Sequence, residues 1–139
     1  MEDYFVSDDK NLLQVDIIHD YLANQSYWAA GIPKSIVKKS IEGAVCFGVY
    51  KGTMQVGFAR VITDSATFAY LADVFILEAH RKKGLSKLMI QTILAHPTLQ
   101  GMRSWLLATE DAHGLYSQFG FRSLPVPQKY MKLSLKDSY

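Results

Sequence analysis

Seven consecutive residues near the middle of the chain, His80-Arg81-Lys82-Lys83-Gly84-Leu85-Ser86, put positive charge and a glycine where one periodicity gives way to another. Before them, residues 67–76 are rich in β-branched and aromatic side chains; after them, Leu85, Leu88, Met89 and Ile93 recur at helical spacing. Gly84 therefore opens a helix. The first backbone N–H groups of a helix have no internal partner, and with the helix dipole they form an anion site. Gly84 lets the backbone approach a phosphate, Ser86 keeps the second position small and adds a hydroxyl, and Arg81, Lys82 and Lys83 supply charge. On charge alone the run is a solvated loop; its strand-to-helix position and Gly-x-Ser spacing make it a phosphate cradle. It lacks the Lys-Ser/Thr pair of a nucleotide P-loop and the three glycines of a dinucleotide fingerprint, which disfavours both ligands.

The elements that must position this cradle follow from the periodicities. Tyr4 to Val6 reads as a first strand, and Ser7, Asp8 and Asp9 offer caps for a helix carrying Leu13, Ile17, Ile18 and Tyr21. After a break from Asn24 to Pro33, a second helix turns Ile36, Val37 and Ile41 inward. Three antiparallel strands follow: one around Val45, Phe47 and Val49, one around Val56 to Ile62, and one from Thr67 to Ile76.

Beyond the cradle helix, which His96-Pro97 ends, Trp105 to Ala108 is a short apolar run suited to a strand covered on both faces. Thr109 caps a last helix whose Ala112, Leu115, Tyr116 and Phe119 share a face, and Gly120 stops it. Pro125 and Pro127 bound a loop, and Tyr130 to Leu135 reads as a closing strand. The expectation is one α/β domain over residues 1–139, with a mixed, mostly antiparallel sheet flanked by helices.

Composition bounds the function. Hydrophobic residues make up 49%, charged residues 20%, and the formal net charge is +2, which suits a globular chain and gives no case for a nucleic-acid binder. The single cysteine, Cys46, excludes an internal disulfide, and the four histidines show no metal-ligand spacing, so no metal is expected. No run approaches the apolar length of a membrane span, and the acidic start Met1-Glu2-Asp3-Tyr4 lacks the basic opening of a secretory signal. The expected location is cytoplasmic.

Two motifs together resemble the GNAT superfamily of N-acetyltransferases. Its pyrophosphate motif, Arg/Gln-x-x-Gly-x-Gly/Ala, appears as Arg81-Lys82-Lys83-Gly84-Leu85-Ser86, with Ser86 departing from the usual Gly or Ala. A second hallmark appears as Leu115-Tyr116-Ser117-Gln118-Phe119-Gly120-Phe121; Ala112 also matches, while a usual asparagine is Thr109 here. The element order fits that fold over nearly the whole chain, with strands four and five parallel and splayed.

The resemblance implies acetyl-CoA as cosubstrate, with backbone groups of Val74, Phe75 and Ile76 on the pantetheine arm and thioester. Amides from Lys82 through Leu85 to Ser86 would hold the pyrophosphate. Tyr116 would protonate the departing thiolate; read without the resemblance, it is packed core. A glutamate that serves as base in histone-type relatives is Tyr70 here. Asp73 is the first choice of base, against an equal reading as a structural aspartate, with Glu110, Asp111 and His113 as alternatives. Tyr27 and Trp28, in the loop that borders the acceptor entrance in this family, would form an aromatic lip, or pack as core, and Tyr70 would also contact the acceptor. The expected reaction moves acetyl to a primary amine, without nucleic-acid or membrane partners and with a homodimer open. The competing class is a non-catalytic acyl-CoA sensor or interaction domain.

Overall fold

Period-two alternation gives the sheet its two faces. Phe47, Val49, Ala59 and Val61 point to one side, and Cys46 and Phe58 to the other, all of them buried. The computed structural model describes residues 3–139. Its elements are β1 (Tyr4–Ser7), α1 (Val15–Asn24), α2 (Lys34–Glu42), β2 (Val45–Lys51), β3 (Met54–Thr63), β4 (Phe68–Ile76), α3 (Leu85–Leu94), β5 (Ser104–Leu107) and α4 (His113–Ser117). The sheet runs β1-β2-β3-β4-β5, antiparallel except for the parallel β4–β5 pair. Buried side chains of α1 and α2 cover one face, with Ile18, Leu22 and Val37 against Phe58 and Phe75; α3 and Tyr116 of α4 cover the other. Among the described residues, no helix is long and apolar enough to cross a membrane.

One irregularity governs where the chain goes next. Phe58 pairs with Phe75 and Arg60 with Ala72, so Ala59 alone faces both Asp73 and Val74. This is a β-bulge, and Asp73 sits in it with a left-handed φ of 55°. The extra residue reverses the alternation: Leu71 and Ile76, five positions apart, share one core, while Phe75 enters the other. Beyond Leu71 and Leu107, β4 and β5 no longer pair.

Four sequence expectations are corrected. Ile36 and Leu88 are 38% and 37% exposed because each lies at the margin of its helix's apolar stripe; Ile90 takes the inward place on α3. Asp9 caps a short 3₁₀ turn at Lys10–Leu12, and the α1 terminus is fixed by Gln14 N–H donating to the buried Gln55 Oε1 at 2.7 Å. The last helix is shortened to His113–Ser117, since Thr109 Oγ1 caps a preceding turn by accepting from Ala112 N at 3.1 Å. The closing strand at Tyr130 to Leu135 does not form. A 3₁₀ turn at Pro127–Lys129 leads the chain out, and Met131, Leu133 and Leu135 are 99%, 81% and 85% exposed.

The junction of β3 with the end of β4 leaves no room for a side chain at Gly57. A Cβ there would lie 2.6 Å from Ile76 Cδ1 and 3.1 Å from the Phe75 carbonyl. Gly57→Ala should lower stability by about 1–3 kcal/mol, the usual scale of overpacking, read by urea denaturation. A midpoint at the wild-type value would show that β4 yields easily beyond its bulge.

Candidate active site

The cradle forms where the chain must turn from β4 into α3. Glu78–His80 makes a 3₁₀ turn, after which Lys82 and Gly84 adopt left-handed φ values of 63° and 77°. Gly84 is the N-cap of α3, has no side chain to cap the helix, and faces open space with nothing within 4 Å of a Cβ position. Leu85, 5% exposed, anchors the first turn in the core, and Ser86 is half-buried. The terminus of this ten-residue helix thus presents bare N–H groups to solvent.

Arg81 is placed otherwise than its charge suggests. Its Nε donates to the Ile76 carbonyl at 2.9 Å and its Nη2 to the Tyr21 hydroxyl at 3.1 Å. Tyr21 in turn stacks on Phe75, with ring centroids 4.0 Å apart and 9° between planes. Arg81 therefore clamps the end of β4 to α1. The Tyr4 hydroxyl and His80 Nδ1, 2.7 Å apart, tie the same turn to β1.

The bulge is held from two sides. Asp73 Oδ1 accepts from Trp28 Nε1 at 2.8 Å, and Oδ2 accepts from Arg60 Nε at 2.8 Å. The Asp73 and Arg60 side chains are only 10% and 17% exposed. Tyr27 packs edge-on against Trp28 at 5.0 Å, and its hydroxyl accepts from Glu110 N at 2.9 Å. The loop between α1 and α2 is thereby stitched to β4 through one aromatic residue and to the turn before α4 through the other.

These contacts enclose a cavity of about 520 Å³ that Tyr27, Trp28, Tyr70, Asp73, Val74 and Tyr116 all line. It opens where β4 and β5 part. Val74 is half-buried there, whereas the Phe75 and Ile76 side chains are buried, leaving those two positions to act through backbone. Tyr116 is 7% exposed, its ring edge-on to Phe121, and its hydroxyl has no hydrogen-bond partner among the described residues. Burial pushes its pKa up to about 12, with Tyr27 and Asp111 adding to the shift. His113 is exposed and faces a different cavity, on the far side of β5.

Sequence reasoning missed Arg60 and the clamping use of Arg81. The signal for the bulge was present: an aspartate inside an apolar strand is disfavoured there and is among the few non-glycine residues that tolerate left-handed backbone.

Residues 42–123 match the family profile described as the Acetyltransferase (GNAT) domain. A Gibberella zeae protein, provisionally assigned as an acetyltransferase, is 35% identical, with 86% of this chain aligned to 80% of that one. The crystal structure of a GNAT-family protein from Xanthomonas campestris pv. campestris, also a provisional acetyltransferase, is 46% identical; the match covers 97% of this chain and 95% of that one, with a TM-score of 0.94. A Clostridium acetobutylicum structure solved with acetyl-CoA shares the fold at 14% identity, with a TM-score of 0.69 and 97% of each chain covered.

Asp73 carries two demands, and substitutions separate them. Asp73→Asn keeps the left-handed tolerance and an acceptor for Trp28, but leaves Arg60 without its counter-charge; a loss of about 1–2 kcal/mol is expected. Asp73→Ala also loses both hydrogen bonds and places a Cβ in left-handed backbone, for a loss of about 3 kcal/mol. Equal losses in the two variants, by chemical denaturation, would contradict a conformational role for the bulge.

Proposed function

The chain belongs to the GNAT acetyltransferase family, and on that premise we propose that it moves the acetyl group of acetyl-CoA to a primary amine of a small molecule or peptide. One observation carries this reading: the parallel pair β4–β5 parts after Leu71 and Leu107, and Tyr116 meets the β4 bulge across the cavity that opens there.

The residues fit the cosubstrate. The uncapped α3 terminus, with open space before Gly84, suits a pyrophosphate held by the amides of Lys82 to Ser86. The backbone of β4 from Val74 to Ile76 has no β5 partner and suits an amide-bearing pantetheine arm. When bound, acetyl-CoA supplies an acetyl group activated as a thioester. One N–H of that strand edge stabilises the oxyanion that grows as the amine attacks.

Tyr116 would lie toward the leaving sulfur, and it stays protonated at any working pH because burial pushes its pKa up to about 12. Tyrosine is already a weaker acid than a thiol, about 10 against about 8.5, and burial widens that gap. Its hydroxyl therefore acts chiefly by hydrogen-bonding the developing thiolate, with the proton exchanged through solvent. Asp73 serves as a positioning residue: it fixes Trp28 over the acceptor side, where Tyr27 and Tyr70 complete the wall. The amine's proton leaves through the cavity mouth, where Glu110 and Asp111 lie.

A second reading, an acyl-CoA-binding domain without turnover, draws on the engagement of both Asp73 oxygens. Thiol release from acetyl-CoA against polyamines, aminoglycosides, amino acids and peptides separates the two, since turnover with any acceptor excludes the binder. With a productive acceptor, Tyr116→Phe should lower kcat by roughly 10²-fold, the low end for a group of this kind, while CoA affinity and melting temperature change little. Unchanged turnover in that stable variant would remove Tyr116 from the chemistry.

A further inference from the structure

The cavity between Tyr116 and the α1–α2 loop changes character along its length. At one end the Tyr116 ring is buried and its hydroxyl has no partner among the described residues. At the other the rings stand open: Trp28, Tyr27 and Tyr139 are 40%, 51% and 54% exposed, although all three line the same space. Tyr139 reaches the cavity from beyond the Pro127–Lys129 turn. Its carbonyl would lie 3.6 Å from a Cβ at Gly31, in the loop that carries Tyr27 and Trp28.

The charges that line the cavity do not cancel. Arg60 Nε donates to Asp73 Oδ2 at 2.8 Å, so that pair is neutral. Glu110 and Asp111 remain, and neither carboxylate has a hydrogen bond or ion pair among the described residues. They belong to the open end, because the Glu110 amide donates to the Tyr27 hydroxyl at 2.9 Å. The rings beside them suit a cation as well. Trp28 Nε1 donates to the Asp73 carboxylate, which enriches the indole face in electron density. Lys136 Nζ, which does not line the cavity, already lies 5.6 Å from the centroid of the Tyr139 ring.

The reacting amine alone needs none of this. It must be uncharged when it attacks, and a carboxylate beside it would hold it as ammonium. Unpaired carboxylates and open aromatic faces instead suit a cation that keeps its charge throughout the reaction. Ile32, Leu71 and Leu107 line the same cavity and suit methylene groups, and its volume of about 520 Å³ admits a small linear molecule.

We propose that the acceptor is a linear diamine: one nitrogen reaches Tyr116 and takes the acetyl group, while the second, held as ammonium, rests at the mouth among the aromatic faces with Glu110 and Asp111. This deepens the acetyl-transfer reading and rests on it. The attacking nitrogen sheds one proton to solvent before it attacks. It sheds a second as the C–N bond forms and the C–S bond breaks; that proton ends on the CoA thiol, and the distal ammonium is unchanged.

The test compares α,ω-diaminoalkanes, from propane to octane, with the amino alcohols of the same length, in which a neutral hydroxyl replaces the second ammonium. Two readouts are taken on the full chain: kcat/KM with acetyl-CoA, and calorimetric affinity for the protein saturated with CoA. The best diamine should exceed its amino alcohol by at least about tenfold in both. In Glu110→Gln/Asp111→Asn that ratio should fall toward unity; as a ratio, it cancels any shared effect on Tyr116 or on the proton's exit. Should the double variant melt early, each single variant serves in its place, and added salt should lower the wild-type ratio in the same way. A diamine preference in affinity without turnover would support the subsite for the second charge and count against acetyl transfer alone. Equal values at every length would overturn the proposal, and consumption of the amino alcohols would then leave acetyl transfer standing. Binding and turnover of neither series would also overturn it, as would a preference that persists in the double variant.

Discussion

The bulge at Asp73 is the constraint from which the site follows. Without an extra residue in β4, Phe75 would stay on the face set by Leu71, and β4 would continue beside β5. With it, Phe75 turns to stack on Tyr21, Ile76 enters the opposite core, and the two parallel strands separate after Leu71 and Leu107. Arg81 then fastens the displaced strand end to α1 through the Ile76 carbonyl and the Tyr21 hydroxyl. The cradle begins at the next residue, so its place relative to Tyr116 is inherited from the bulge.

Left-handed backbone at a non-glycine residue costs roughly 1–2 kcal/mol. Two hydrogen bonds, one of them to the Arg60 guanidinium, offset that at Asp73. The Arg60–Asp73 pair does more for geometry than for stability. Removing two charges from water largely cancels their attraction, whereas removing one partner leaves the other buried and unmatched. The pair therefore specifies one conformation of the bulge, and the bond to Trp28 passes that specification to the acceptor wall. Tyr116 shows burial acting on chemistry: the environment that keeps its proton in place also limits how readily it is given up.

Much of this arrangement was legible in the residues. Gly84 and Gly120 marked a helix start and a helix stop, and both take a left-handed φ, 77° and 94°, that glycine adopts without steric cost. The change of period at Ala44 and again at Gly84 located the meander and α3. What escaped the sequence depended on neighbours that periodicity cannot name. Leu88 and Ile90, two positions apart, lie on nearly opposite sides of the helix, and only the position of the sheet decides which is inward. Arg81 reads as ligand-facing charge until the hydroxyl of Tyr21, sixty residues away in sequence, accepts its hydrogen bond. The closing strand expected at Tyr130 to Leu135 does not form, because alternation alone does not name the neighbouring strand that a ladder needs.

The central claim is that the α3 terminus holds the CoA pyrophosphate, and calorimetric titration of CoA into wild type, Gly84→Ala and Gly84→Glu tests it most directly. Both variants carry the left-handed strain at this position, so their comparison isolates what the side chain does to the space before the helix. The account predicts binding by wild type, weakened binding by Gly84→Ala, and a loss of at least about 10²-fold in Gly84→Glu, whose carboxylate occupies the anion site. Wild-type affinity in a folded Gly84→Glu variant would contradict it.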